Sequence, residues 1–379
     1  MQSSPKCRPG PCGAAGDPSD HAHRDGGGPL NQSRLSGLLA PAAWAYGVAV
    51  EARNGLYNQG WLRAHRLGVP VLCVGNLTTG GTGKTPLVAW LCRGLLRRGR
   101  RPAILTRGYQ APHGADCDEV RLLRDWLPDT PIVVDADRVR GGRRALEQYQ
   151  PDVLVLDDGF QHRRLARDLD LVLIDCLQPF GGGALLPQGR LREPLHQLRR
   201  ADVVILTRSD QVPPEELIRL RQRVRDVLDA PADKLVACAR QIPTASLSAD
   251  GAEQPVEALR GRRVFAFCGI GNPQSFIRLV AALGADVVDQ QCLEDHHHYR
   301  RGELERWADR ARASGAEWLI TTEKDWVKLR NLPAAWQTPA LHWLRVETVL
   351  TQGEPDLWQR VERVIPPTGG GLGRHAPTR

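Results

Sequence analysis

Val71-Leu-Cys-Val-Gly-Asn-Leu-Thr-Thr-Gly-Gly-Thr-Gly-Lys-Thr-Pro86 decides how the rest of this chain is to be read. The apolar run 69–74 predicts a buried strand. The segment 85–96 predicts a helix with Pro86 in its first turn, where a missing amide hydrogen costs nothing. A glycine loop between strand and helix makes a phosphate cradle, because backbone N–H groups point inward and the helix dipole favours negative charge. The spacing assigns Thr78, Thr79, Gly80, Gly81, Thr82, Gly83, Lys84 and Thr85 to that cradle. Lys84 would reach the β- and γ-phosphates of a nucleotide such as ATP, and the Thr85 hydroxyl would bind Mg²⁺. The strict pattern has glycine at position 78, where this chain has Thr78; Gly80, Gly81 and Gly83 still supply the backbone freedom. An ordinary glycine turn before a helix would share the composition, but the flanking strand and helix are the context that phosphate binding demands.

Around this stretch strands and helices alternate. Apolar runs recur at 103–106, 131–134, 153–156, 171–174 and 203–206, with helical segments at 86–98 and 138–149 between them. This pattern predicts an α/β fold, a P-loop NTPase-type doubly wound, mostly parallel sheet with ligands at the carboxyl ends of its strands. Residues 213–240 read as helical and charged, and 245–260 as a polar connector. A second α/β block starts at Arg263 and continues through 287–289, a helix at 302–313 and a strand at 318–322. The expected organisation is an unstructured extension (1–33), an apolar helical segment (34–66), a P-loop domain (67–240), a smaller α/β domain (241–365) and an unstructured tail (366–379). No apolar core of a secretory signal follows the first residue.

The 379 residues are 41% hydrophobic and 25% charged, the balance of a soluble globular protein, and carry a net charge of +8. That charge suits nucleic acid, an anionic membrane face or a phosphorylated substrate. With five Phe, five Tyr and no basic–aromatic interleaving, stacking platforms for nucleic acid are not expected. Lysine occurs only at 6, 84, 234, 324 and 328, so position 84 departs from the chain's habit of using arginine. Nine scattered cysteines without a C-x-x-C pair read as thiols of a reducing compartment. The stretch 38–66 mixes Trp44, Tyr46, Leu56, Tyr57, Trp61 and Leu62 with Arg53, Arg63, His65 and Arg66. Too short to span a bilayer and broken by Pro41, it suits either a helix in the membrane interface or one packed on the protein's own core.

Several segments carry chemistry. Val153-Leu-Val-Leu-Asp-Asp-Gly-Phe-Gln-His162 is a buried strand ending in two carboxylates, so Asp157 or Asp158 would hold Mg²⁺ directly or through water. Asp118, Glu119, Asp135 and Asp137 each follow a strand and could accept a proton from an attacking hydroxyl; spacing does not choose among them. In Gly189-Arg-Leu-Arg-Glu-Pro194, Arg190 and Arg192 could grip phosphate and Glu193 could join the metal sphere, or the loop could hold a local ion pair. Three consecutive histidines in Glu294-Asp-His-His-His-Tyr299 cannot easily converge on one zinc ion; a histidine oriented by Asp295 or paired with a catalytic acid is the better use. Thr321-Thr-Glu-Lys-Asp325 stands where the second block could present polar groups to a cleft, or form a structural ion pair.

Taken in order, Gly75–Pro86, Thr106-Arg-Gly-Tyr109, Leu156-Asp-Asp-Gly-Phe-Gln-His162, Arg167-Asp-Leu-Asp170, Leu185–Leu195, Ala266–Pro273, Asp295-His-His and Thr321-Thr-Glu-Lys-Asp325 resemble the tetraacyldisaccharide 4′-kinase family of lipid A biosynthesis. The resemblance covers about residues 35 to 330. It implies a lipid kinase that uses ATP and Mg²⁺ to phosphorylate the 4′-hydroxyl of a tetraacylated glucosamine disaccharide 1-phosphate, as a monomer on the cytoplasmic face of the inner membrane. The 34–66 segment then becomes the membrane-interface helix. Asp118 becomes the leading base, with His296 as its partner, and Glu119, Arg138, Gln161, His162 and Arg192 fall on positions near substrate or phosphates. Glu193 falls near the metal. Two departures stand out: Cys117 replaces the family's usual glycine, and the segment 110–116 is short where a longer hairpin often covers the nucleotide. The rival reading is a switch ATPase that binds a membrane or a partner, but Thr79 stands where the deviant loop of partitioning ATPases carries a signature lysine.

Overall fold

The computed structural model describes residues 29–108, 117–229, 234–295, 297–330 and 339–365, with side chains from 39 onward. A helix α1 (Pro29–Asn58) leads into β1 (Val71–Asn76), whose carboxyl end feeds the phosphate loop and α2 (Lys84–Arg97). There follow β2 (Pro102–Thr106), α3 (Asp118–Trp126), β3 (Ile132–Val134), α4 (Arg138–Tyr149), β4 (Val153–Asp157), β5 (Leu169–Asp175), β6 (Val203–Thr207), α5 (Pro214–Leu228) and β7 (Leu235–Ser248). The second block holds β8 (Glu253–Gln254), β9 (Arg263–Cys268), α6 (Pro273–Ala282), β10 (Asp286–Cys292), α7 (Arg301–Ala313), β11 (Trp318–Thr322), α8 (Glu323–Leu329), β12 (Ala340–Gln352) and α9 (Glu354–Val364).

The strands form one mixed sheet in the order β10-β9-β11-β12-β7-β6-β5-β1-β4-β2-β3, with β8 pairing β7. The strands flanking β1 are parallel to it, and β1, β4, β5 and β6 are buried along their whole length. Burial on both faces explains why they read as unbroken Val/Ile/Leu runs rather than as alternation. The inner face of α2, with Leu87, Leu91 and Leu95, packs into the same apolar cluster as Leu357, Trp358 and Val361 of α9.

The segment expected to be helical up to residue 240 contains a strand from Leu235, and the expected polar connector holds the end of β7, β8 and a short 3-10 turn at Val256–Leu259. The boundary drawn at 240/241 therefore falls inside β7. Residues 235–238 pair in parallel with β6, 236–238 are buried, and from Cys238 onward the strand pairs antiparallel with β12; that pairing overrides their helix-compatible composition. Helix α1 also differs from expectation. It begins at Pro29, runs through Pro41 without interruption and ends at Asn58, so Trp61 and Leu62 lie on the turn beyond it. A proline removes one backbone hydrogen bond but does not stop a helix held by other contacts, and α1 is anchored further along by Tyr46 and Arg53. Among the described residues no helix is long and apolar enough to cross a membrane.

Candidate active site

Three elements converge at the carboxyl end of β1. Gly80 and Gly83 take φ of 110° and 87°, values that favour glycine, and the turn at Gly83 sets Lys84 and Thr85 in the first turn of α2. Asn76 staples the loop: its Nδ2 donates to Thr82 Oγ1 at 3.1 Å, and its Oδ1 accepts from Lys84 Nζ at 3.2 Å. From the β6 end, Thr207 Oγ1 donates to the Thr82 carbonyl (3.0 Å) and Arg208 Nη2 to the Gly81 carbonyl (2.9 Å). The bonds from Thr207 and Arg208 go to loop carbonyls and so spend none of its amides, although Thr79 N donates to the Arg190 carbonyl; amides left facing the cleft are what an anion needs. An open cleft lies against the loop, bounded by Thr78–Thr82, Asp175, Arg190, Gly271 and Asn272. A Cβ built on Gly271 would lie 3.2 Å from the Gly81 nitrogen, so the second block comes down on the phosphate loop.

The paired carboxylates differ. Asp157, at the end of β4, is buried and accepts from Thr106 Oγ1 at 3.4 Å. Burial and the charge of Asp158 push its carboxyl up to about 7. Burial would also raise Asp158, but Lys84 and Arg192 outweigh it and hold its carboxyl below the usual range. Asp158 lies 3.6 Å from Lys84 Nζ, and Arg192 Nη1 donates to both its oxygens at 2.9 Å. Its φ of 51° is left-handed, a strain of the kind kept where surrounding structure over-determines a residue. Gln161 completes the group: its Nε2 donates to the Asn76 carbonyl (2.9 Å), and its Oε1 lies 3.4 Å from Arg192 Nη1.

Arg138 is buried at the start of α4, where Asp137 caps the helix, and its Nη1 donates to the Ala136 carbonyl at 3.1 Å. Its Nε and His162 Nε2 are both buried without a hydrogen-bond partner in the structure. Burial, then the charge of Arg138, lowers His162 to about 4, so its ring is neutral at physiological pH. Asp118 and Glu119 open α3 and face α8: Lys328 Nζ lies 3.5 Å from Asp118 and 3.2 Å from Asp325, and Lys324 Nζ lies 3.6 Å from Glu119 and 3.0 Å from Asp295. His296 and residues 109–116 lie outside the described residues.

Glu193 is the one expected metal-side residue that the geometry takes elsewhere. It is fully buried, and its two oxygens are held by Arg53 of α1 (2.9 Å) and by Arg200. Both its oxygens are thus taken by guanidinium groups. Lys324, in the Thr321–Asp325 segment expected at a cleft, does reach Glu119 and Asp295, whereas Asn76, Thr207, Arg208 and Lys328 draw no expectation as parts of the site. The position of Asn76 at the strand end offers a signal; the other three depend on which strand ends and helices meet. Among the described residues no group of three or more His, Cys, Asp or Glu could hold a metal ion. Mg²⁺ does not need one, since it is bound by one or two carboxylates together with phosphates and water. The Thr85, Asp157 and Asp158 set fits that requirement, because a divalent ion would offset the burial and the Asp158 charge that together raise Asp157.

A phosphate loop on a doubly wound sheet, with a lysine and a strand-end carboxylate pair facing each other, defines a P-loop enzyme that handles a nucleoside triphosphate. Comparison with known proteins narrows the class. Residues 35–366 match the tetraacyldisaccharide-1-P 4′-kinase family, and the chain belongs to it. It is a kinase of lipid A biosynthesis. The tetraacyldisaccharide 4′-kinase of Anaeromyxobacter dehalogenans is 42% identical over 366 residues, covering 91% of this chain and 90% of that protein. That of Pelobacter propionicus is 39% identical over 322 residues, covering 80% and 86%. The LpxK protein of Aquifex aeolicus, crystallised in complex with ATP, aligns with a TM-score of 0.66 at 30% identity, covering 88% of this chain and all of that one.

Proposed function

We propose that this kinase transfers the γ-phosphate of ATP to the 4′-hydroxyl of tetraacyldisaccharide 1-phosphate, working as a monomer at the cytoplasmic face of the inner membrane. The observation that carries the reading is the meeting of Lys84, Asp158 and Arg192 at the N-terminus of α2. Loop amides and Lys84 hold the phosphates; Arg192 neutralises charge that spreads onto the transferring group. Thr85, Asp157 and Asp158 are the residues that would hold Mg²⁺, which would supply positive charge to neutralise the phosphates.

Asp118 takes the proton of the attacking hydroxyl, with His296 as its partner. Asp118 lies 3.5 Å from Lys328 Nζ, which ties the start of α3 to α8 and holds the carboxylate in place. Arg138 Nε and His162 Nε2 are both buried without a hydrogen-bond partner, the Arg138 charge acts on the His162 ring, and a polar group of the substrate would satisfy them. Gln161 and Glu119 complete the substrate side. Helix α1 supports the membrane assignment: Trp44 is 72% exposed, Val48 49% and, beyond the helix, Trp61 77%. Exposed indoles of that kind suit the headgroup level of a bilayer. The test is incubation of the purified chain with labelled ATP and the tetraacyldisaccharide. Lys84-dependent labelled product is expected; ATP hydrolysis with no labelled lipid would overturn the reading in favour of a switch ATPase.

A further inference from the structure

Helix α1 turns two faces to different neighbours. Trp44 and Val48 face outward, while Tyr46 and Arg53, two turns apart on the other side, reach two consecutive residues of the loop after β5. Tyr46 Oη donates to the Arg192 carbonyl at 2.8 Å, and Arg53 Nη2 donates to Glu193 Oε1 at 2.9 Å. Between them Gly47 fits so closely that an added Cβ would lie 2.8 Å from Leu185 Cδ1, on the same loop. That loop is laced to the phosphate loop by backbone: Arg192 N donates to the Leu77 carbonyl (2.7 Å) and Thr79 N to the Arg190 carbonyl (2.8 Å).

We propose that Tyr46 and Arg53 are positioning residues of the kinase, fixing the Arg192–Glu193 segment so that the Arg192 guanidinium meets Asp158. Arg192 is gripped on its carbonyl by α1, on its amide by Leu77 and on its side chain by Asp158. Freeing the carbonyl lets the peptide turn and the guanidinium drift, and a small misplacement at a charge-stabilising group is costly to rate. Glu193 is spent on the lock: a fully buried carboxylate held by one arginine from α1 and one from the turn that follows it. The helix with the outward indole is thereby part of the scaffold that aims the phosphoryl-transfer centre. This rests on the reading of Lys84, Asp158 and Arg192 as that centre.

The experiment uses the full chain, its Tyr46→Phe and Arg53→Lys variants, and Lys84→Met. Phosphate transfer to tetraacyldisaccharide 1-phosphate in detergent micelles is measured with the thermal midpoint and co-sedimentation with phosphatidylglycerol–phosphatidylethanolamine vesicles. Tyr46→Phe should lower kcat about tenfold, with KM for ATP within about twofold and with vesicle binding and thermal midpoint unchanged. Arg53→Lys, which keeps the charge but loses the planar fork, should lose less. A kcat for Tyr46→Phe within about twofold of the parent, or a loss that only follows the fraction of folded protein, overturns the proposal. Full transfer by Lys84→Met would instead overturn the reading of the centre on which it rests.

Discussion

Arg192 donates through one nitrogen to both carboxylate oxygens of Asp158, and the same carboxylate lies 3.6 Å from Lys84 Nζ. Two cations thus share one strand-end acid before any phosphate arrives, and an anionic nucleotide would enter a site whose positive groups are already in place. Replacing Arg192 by lysine keeps the charge but shortens and rounds the donor. Transfer should fall by about 10²-fold, in kcat more than in KM for ATP, measured by steady-state kinetics.

Removal of the Lys84 ammonium takes away the group that holds both Asn76 and Asp158. Lys84→Met should lower kcat/KM by at least about 10³-fold, roughly 4 kcal/mol of transition-state stabilisation. Circular dichroism should show the fold intact, because the loop keeps its bonds from Thr207 and Arg208.

Asp118→Asn removes the proposed proton acceptor without touching the phosphate loop. The expected loss is about 10²- to 10⁴-fold in kcat with ATP affinity unchanged, read by equilibrium nucleotide binding alongside single-turnover transfer. An equal loss in nucleotide affinity would assign Asp118 to ATP binding instead.

Asp157 makes the free enzyme sensitive to pH. Its carboxyl stands at about 7 in the fold against an ordinary 3.8, so the folded state holds the proton more tightly than the unfolded chain. The stability this confers is complete below about pH 4 and is lost as pH rises toward 7. Thermal midpoints of nucleotide-free Asp157→Asn should therefore fall less over pH 4–7 than those of the parent. Binding of ATP with Mg²⁺ should release a proton from Asp157, with a stoichiometry that grows from pH 7 to pH 6 and vanishes in Asp157→Asn. Calorimetry in buffers of different ionisation enthalpy measures it.

Trp44 and Trp61 are exposed and carry little of the fold. Trp44→Ser with Trp61→Ser should reduce vesicle binding at least about tenfold, since insertion of each apolar side chain is worth about 1.5–3 kcal/mol. Unfolding free energy should move by no more than about 0.5 kcal/mol. Unchanged co-sedimentation would remove the membrane role of this surface.

Much of the P-loop half was legible from local pattern. Helix α4 was expected at 138–149 and runs from Arg138 to Tyr149, with Asp137 accepting from the amides of Val139 and Arg140. Capping and 3.6-residue periodicity act within a few residues of one another, so the sequence contains the whole signal. Strand β7 shows the opposite case. Leu235-Val-Ala-Cys carries no alternation because both its faces are buried, and it follows a charged helix whose pattern it does not visibly break. β12 (Ala340–Gln352) and α9 drew no expectation, although β12 runs beside both β7 and β11.

By itself the sequence determined the phosphate loop, the carboxylate pair and the α/β class, because those depend on glycine conformation, helix dipoles and short-range hydrophobic periodicity. The tertiary structure alone decided what each charge faces. Glu193 and Arg192 are neighbours in the chain with equal claims on a metal or a phosphate. Burial against Arg53 and Arg200 took the first into a structural lock, and partial exposure beside Asp158 left the second at the centre. Desolvation cost and the nearest opposite charge set that division, and both are supplied by elements far away along the chain.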